Sequence, residues 1–98
     1  MMNLNDLAEQ SLIIAKKRGL KTDLFSVLKH CAGEVTEACE ANCIFSKTGE
    51  QKDHIHLGEE LADIIVCVLT ASAEEEVDIE KALNDVMQKN ARRAYETA

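Results

Sequence analysis

Two pairs of acidic residues with the same spacing are the part of this sequence best suited to chemistry. Glu34 and Glu37 form the first pair, and Glu60 and Asp63 form the second. Residues three apart on a helix lie on the same face, so each pair would direct two carboxylates the same way. Two such helices packed side by side would bring four carboxylates together. Their mutual repulsion would favour binding of a hard divalent cation such as Mg²⁺ or Mn²⁺.

The apolar residues around these pairs distinguish them from ordinary exposed acids. Asp63 stands between Leu-Ala and Ile-Ile-Val, and Val35 and Ala38 flank the residues of the first pair. An unpaired carboxylate in apolar surroundings is strongly unfavourable unless a partner compensates it. The sequence therefore predicts a metal site rather than two solvated helix faces.

Histidine and cysteine residues offer a second candidate metal site. Cys39 and Cys43 are one helical turn apart, and His54 and His56 follow them. Thiolate and imidazole are the ligands that Zn²⁺ prefers. The alternative interpretation is core thiols and surface imidazoles without a metal.

Composition and apolar periodicity indicate a single all-α domain over residues 1–98. The 98 residues include no proline, four glycines and 3% aromatic residues, a mixture that favours helix. The spacing of apolar residues predicts four helices, over about 5–18, 22–45, 54–73 and 78–95. Either Thr22 or Asp23 is expected to cap the second helix, and Asp78 the fourth. The polar segment 46–53 is predicted to be the main loop.

Two apolar surfaces shape the expected packing. The second helix is expected to turn one stripe inward: Leu24, Leu28, Cys31, Val35, Ala38 and Asn42. The third helix is apolar on every side over 64–69, so we expect it to be buried all round. A chain this short buries only about two-thirds of its unfolded surface. A homodimer, or a dimer of dimers, is therefore predicted to complete the core.

The net charge limits which classes of partner are expected, and the sequence also predicts where in the cell the protein is located. The net charge is −7 and the pI about 4.9, which argues against a nucleic-acid polymer or an anionic membrane as partner. A bound cation would reverse the charge locally, so a polyphosphate ligand is compatible with it. The absence of a basic, apolar leader predicts a cytoplasmic protein with reduced cysteines at 31, 39, 43 and 67.

Four motifs follow the order and spacing of a known family. They are GEVTEA at 33–38, GEELADII at 58–65, VDIEKAL at 77–83 and KNARR at 89–93. Together they resemble the MazG-like all-α nucleoside triphosphate pyrophosphohydrolases, which include the dCTP pyrophosphatases. The resemblance covers about residues 22–95, and the second motif is the most specific.

The resemblance implies a fold, an activity and a set of site residues. The expected fold is a four-helix bundle whose core is completed by homodimerisation. The expected activity is Mg²⁺-dependent hydrolysis of (deoxy)nucleoside triphosphates to monophosphate and pyrophosphate, in a house-cleaning role. The implied metal ligands are Glu34, Glu37, Glu60 and Asp63, one of which would also accept a proton from the attacking water. The implied substrate contacts are Lys89 and Arg93 to the β- and γ-phosphates and Asn90 to sugar or phosphate.

Two departures from the family pattern support an alternative hypothesis. Gly33 stands where many members carry glutamate, and Val86 stands where the family often has lysine. The alternative is a catalytically inactive helical dimer that binds a nucleotide or a protein partner.

Overall fold

Four helices joined by short connections form the computed structural model, which describes residues 3–96. They are α1 (Leu4–Lys17), α2 (Leu24–Thr48), α3 (Gln51–Glu74) and α4 (Ile79–Glu96). No strand occurs within residues 3–96, so the predicted all-α class is confirmed. No helix in this range is long and apolar enough to cross a membrane.

Side-chain caps fix where the helices begin. The Asp23 carboxylate accepts a hydrogen bond from the Ser26 backbone N–H at 3.1 Å, which starts α2. The Asp78 carboxylate accepts one from the Lys81 backbone N–H at 3.0 Å, which starts α4. Each bond satisfies a backbone donor that the first turn of a helix leaves unpaired. The predicted cap at Asp78 is confirmed, and of the two candidates for the second helix Asp23 is the cap.

A turn of only two residues, Gly49 and Glu50, joins α2 to α3 and makes them an antiparallel hairpin. Gly49 adopts the left-handed conformation, with φ 63°, and its N–H donates to the Phe45 carbonyl at 2.8 Å. The prediction of a loop over 46–53 was wrong, because residues 46–48 continue α2 and residues 51–53 begin α3. Polar residues in this segment hydrogen-bond across the turn: the Thr48 hydroxyl donates to the Asp53 carboxylate and accepts from the Glu50 backbone N–H.

The core lies between α2 and α3, and α1 packs against α3. Its centre consists of Val27, Cys67 and Ala71, with Cys31 beside them. The buried positions of α2 are Val27, Glu34, Ala38 and Ala41. The predicted inward stripe was therefore right at Ala38 and partly right at Cys31, but Leu24, Leu28, Val35 and Asn42 are exposed. The face that meets α3 is instead the one that carries a glutamate.

Helix α3 is not covered on all sides by its own chain. Within 64–69, Cys67 and Leu69 are buried, whereas Ile65, Val66 and Val68 are 58%, 47% and 41% exposed. The expected all-round burial is thus not reached in one chain. The dimer that was predicted to complete it stays a prediction.

Helix α4 is held at its beginning by α1. The Asn5 side chain accepts from the Ile79 N–H at 3.0 Å and donates to Asp78 at 2.9 Å. The Glu80 carboxylate accepts from the Leu4 N–H at 3.2 Å. No residue of α4 is buried, so the helix presents its length to solvent in the single chain.

Candidate metal centre

The α2–α3 hairpin brings three carboxylates to one point. Glu34, Glu37 and Glu60 each offer one oxygen, and these three oxygens lie within 4.8 Å of one another. Asp63 follows Glu60 by one helical turn and is close enough for its charge to act on both Glu34 and Glu60. The two acidic pairs therefore meet, as their spacing predicted, although Asp63 lies beside the group of three rather than within it.

Two oxygens of this cluster are buried without a partner. Glu34 is only 9% exposed, and the side chain of Glu60 is 13% exposed. The Oε2 atom of each is enclosed and has no hydrogen-bond partner among the described residues. Buried polar atoms are normally paired, and a cation between the two facing helices would pair with both of these oxygens. The donor set is all carboxylate, which fits Mg²⁺ or Mn²⁺ better than a softer metal.

The surroundings disfavour the charged forms of these two acids. Burial is the main cause that raises the pKa of Glu34, and the charges of Glu37 and Asp63 raise it further. Burial is also the main cause that raises the pKa of Glu60, and the neighbouring Glu37 carboxylate raises it further. A divalent cation would reverse this balance, because it favours the ionised form of every carboxylate around it.

Two histidines contact the cluster from outside. His30 Nε2 lies 3.0 Å from Glu34 Oε1, and His56 Nε2 lies 3.5 Å from Glu60 Oε1. The sequence interpretation assigned no role to His30 and placed His56 in the zinc candidate. The signal that would have found them is their common position, four residues before the first acid of each pair.

A cavity of about 720 Å³ adjoins the carboxylates between α1, α2 and α3. Glu34 and Asp63 line it on one side, and Arg18 and Lys21 line it from the end of α1 and the connection to α2. The remaining lining residues are apolar or small and polar: Ser11, Ile14, Ala15, Leu20, Ser26, Val27, His30, Val66, Cys67 and Thr70. Its volume is in the range of small-molecule sites.

The other predicted site residues lie elsewhere. Lys89, Asn90 and Arg93 are exposed on α4 and are not among the residues that line the cavity. Their predicted contacts with substrate stay a prediction.

The zinc candidate is not assembled in this structure. Within residues 3–96, Glu34, Glu37 and Glu60 form a group of three close ligand atoms, and no such group includes a cysteine or a histidine. His54 instead packs against Phe45, with ring centroids 4.8 Å apart, and both Cys39 and Cys43 are free thiols.

The family model of the MazG nucleotide pyrophosphohydrolase domain matches residues 22–97. This chain belongs to the MazG family. No curated protein and no solved structure matches it. The matched residues of this MazG domain contain both acidic pairs and all of α4 as far as Glu96, so the resemblance inferred from the motifs is confirmed. Family membership supports a hydrolase of the nucleotide pyrophosphohydrolase type.

Helix α1 of this MazG domain lies outside the matched residues, yet it shapes the cavity. Ser11, Ile14, Ala15 and Arg18 all line that space and all precede residue 22. The part of the chain that the family pattern covers therefore supplies the carboxylates, and the part before it supplies much of the adjoining wall.

Proposed function

We propose that this MazG domain hydrolyses nucleoside triphosphates to nucleoside monophosphate and pyrophosphate, with Mg²⁺ as its cofactor. The observation that carries the proposal is the pair of buried, unpartnered oxygens, Glu34 Oε2 and Glu60 Oε2, in one cluster on facing helices. Glu34, Glu37, Glu60 and Asp63 would hold the cation, and Mn²⁺ could replace Mg²⁺.

The exposed member of the cluster is the best candidate for the general base. When bound, Mg²⁺ would polarise the α-phosphate and lower the pKa of the attacking water. Glu34 and Glu60 are largely enclosed, so their role is to fix the cation. Glu37 is exposed and has an oxygen within 4.8 Å of oxygens on both of them, so it can reach a water at the surface and accept its proton.

The cavity beside the carboxylates is the proposed place for the nucleoside. Its apolar wall, with Ile14, Val27 and Val66, offers a surface for a base, and Ser26 and Thr70 offer polar groups for orientation. Arg18 and Lys21 add positive charge beside an otherwise acidic centre. A substrate in this space would have its phosphates next to Glu34 and Asp63.

A homodimer or dimer of dimers is part of the same proposal. Ile65 and Val68 on α3, and Leu83 and Met87 on α4, are 41–60% exposed, which leaves apolar surface for a second copy to cover. Lys89, Asn90 and Arg93 would then contact the phosphates from the exposed α4. Sedimentation velocity at micromolar concentration tests the assembly, and a stable monomer there would contradict it.

Release of pyrophosphate from a panel of ribo- and deoxynucleoside triphosphates tests the activity. We expect equal amounts of monophosphate and pyrophosphate with Mg²⁺, no product with a chelator, and no product from Glu37→Gln. Glu40→Gln, an exposed glutamate on the same helix outside the cluster, is the matched control and should turn over normally. Nucleotide binding without hydrolysis across the panel would instead favour the inactive helical dimer, which the departures at Gly33 and Val86 motivate.

A cytoplasmic, house-cleaning role completes the proposal. The four cysteines at 31, 39, 43 and 67 are all free thiols, as a reducing compartment would keep them. Metabolite profiling of cells with and without the protein tests this role, and an unchanged nucleotide pool would count against it.

A further inference from the structure

The two metal-binding helices share a longer pattern than the acidic pairs alone. Helix α2 carries His30 four residues before Glu34, and α3 carries His56 four residues before Glu60. Residues four apart on a helix face each other across one turn. Each of the two buried glutamates is therefore approached by an imidazole from its own helix.

In both helices one oxygen of the glutamate carboxylate lies near the imidazole, and the other oxygen is enclosed. His30 Nε2 lies 3.0 Å from Glu34 Oε1, and Glu34 Oε2 is the enclosed atom without a partner. His56 Nε2 lies 3.5 Å from Glu60 Oε1, and again Oε2 is enclosed and unpartnered. The side chains of His30 and His56 are 70% and 52% exposed, and His30 also lines the cavity beside the carboxylates.

We propose that His30 and His56 are positioning residues that hold the carboxylates of Glu34 and Glu60 with Oε2 turned towards the metal. The inference rests on the Mg²⁺ site of the proposed function. A neutral imidazole protonated at Nε2 can donate to Oε1, so no positive charge is needed. The contact restricts the rotation of a flexible side chain before the cation arrives, which favours binding.

The geometry distinguishes this role from direct ligation. Histidine nitrogens can join a metal-binding group, yet among the described residues the oxygens of Glu34, Glu37 and Glu60 form the group without them. His56 also has Nδ1 3.9 Å from Glu59 Oε2, which is too long for a hydrogen bond. Both imidazoles thus act on the ligands rather than on the cation.

Mn²⁺ binding to the nucleotide-free protein tests the proposal without any turnover. Free Mn²⁺ is measured by electron paramagnetic resonance. We expect His30→Ala or His56→Ala to weaken Mn²⁺ binding about tenfold, the lower end of effects seen when partners of metal ligands are removed. His30→Gln and His56→Gln should recover most of the loss, because a glutamine amide N–H can reach the same oxygen.

His54→Ala is the matched control, since this third histidine lies on α3 and packs against Phe45 rather than an acidic pair. It should leave Mn²⁺ affinity unchanged. If the alanine variants lower the melting temperature but bind Mn²⁺ normally, the contacts only stabilise the helices and the proposal is overturned. Failure of both glutamine variants to restore binding would overturn it as well.

The two proposals fail in different ways. Wild-type protein that binds Mn²⁺ in the expected histidine-dependent manner but releases no pyrophosphate would refute the hydrolysis and leave the positioning role standing. Normal hydrolysis with histidine-independent Mn²⁺ binding would do the reverse. Wild-type protein that binds no Mn²⁺ would overturn both.

Discussion

The substitution Glu34→Gln should change the stability of this protein in opposite directions with and without metal. In the metal-free protein it removes a buried charge that burial and two neighbouring acids already disfavour. The glutamine retains an oxygen that can accept from His30. With Mg²⁺ present, the same substitution would replace a proposed anionic ligand with a neutral amide. The order of the melting temperatures of wild type and variant should therefore reverse when the metal is added.

The distances between the carboxylates give the size of the stabilisation that Glu34→Gln should produce in the metal-free protein. The Glu34 and Glu37 oxygens lie within 4.8 Å of each other. At that separation two unit charges repel by about 3.5 kcal/mol at an effective dielectric constant of about 20, and by about 1 kcal/mol in bulk water. Glu37 is exposed, so we take about 1 kcal/mol. For a domain of this size that corresponds to a rise in melting temperature of about 4–8 °C.

Mg²⁺ should then stabilise the wild type more than the variant. A ligand at about 100 times its dissociation constant adds about 2.7 kcal/mol to the free energy of unfolding. The variant would need a higher concentration for the same gain, because one of its ligands is neutral. Thermal melting at pH 8 across a Mg²⁺ titration, with Glu40→Gln as the control, measures both effects. A metal-free Glu34→Gln protein that melts at or below the control would refute the reasoning.

Three further predictions concern pH, the fourth helix and the thiols. Because the folded-state pKa of Glu34 is raised, its ionisation costs stability, and metal-free wild type should lose stability as pH rises above the ordinary glutamate range. Melting of wild type and Glu34→Gln from pH 4 to 8 checks this, and parallel curves would contradict it. Arg93→Ala should lower kcat/KM by about tenfold or more if its guanidinium grips the triphosphate, whereas unchanged steady-state kinetics would remove that role. Burial raises the pKa of Cys67 to about 11, so iodoacetamide should modify Cys67 after the exposed Cys39. Mass spectrometry of a labelling time course gives the order of modification. Labelling of Cys67 before Cys39 would disprove the prediction.

The parts of the fold that depend on local chemistry could be predicted from the sequence. Asp23 and Asp78 mark helix starts because their carboxylates pair with the first free N–H groups, and this needs no tertiary information. The loop was predicted too long because 46–53 is polar, and polarity alone does not distinguish a loop from exposed helix ends. Gly49, with its left-handed φ, was the informative residue in that segment.

Which face of α2 packs against α3 could not be predicted from the sequence. The fixed spacing of the acidic pairs predicted that two carboxylates share a face, and the structure agrees. The rotation of α2 about its axis was not predictable from hydrophobicity, because Glu34 occupies the buried face while Leu28 is exposed. Hydrophobic patterning assumes that the interface is formed by apolar residues, and a helix that buries a glutamate does not follow that assumption.

Because only two residues connect α2 to α3, the number of residues between the turn and each acidic pair determines whether the two pairs meet. Glu37 precedes the last residue of α2, Thr48, by 11 residues, and Glu60 follows the first residue of α3, Gln51, by 9. The two helical arms are therefore about 16.5 and 13.5 Å long, and this near-equal length brings the two pairs to a similar height. An insertion of one residue in either arm would shift its pair by about 1.5 Å along the helix and rotate it by about 100°. A MazG domain with a hairpin this tight should therefore tolerate length changes in its arms only when both change together.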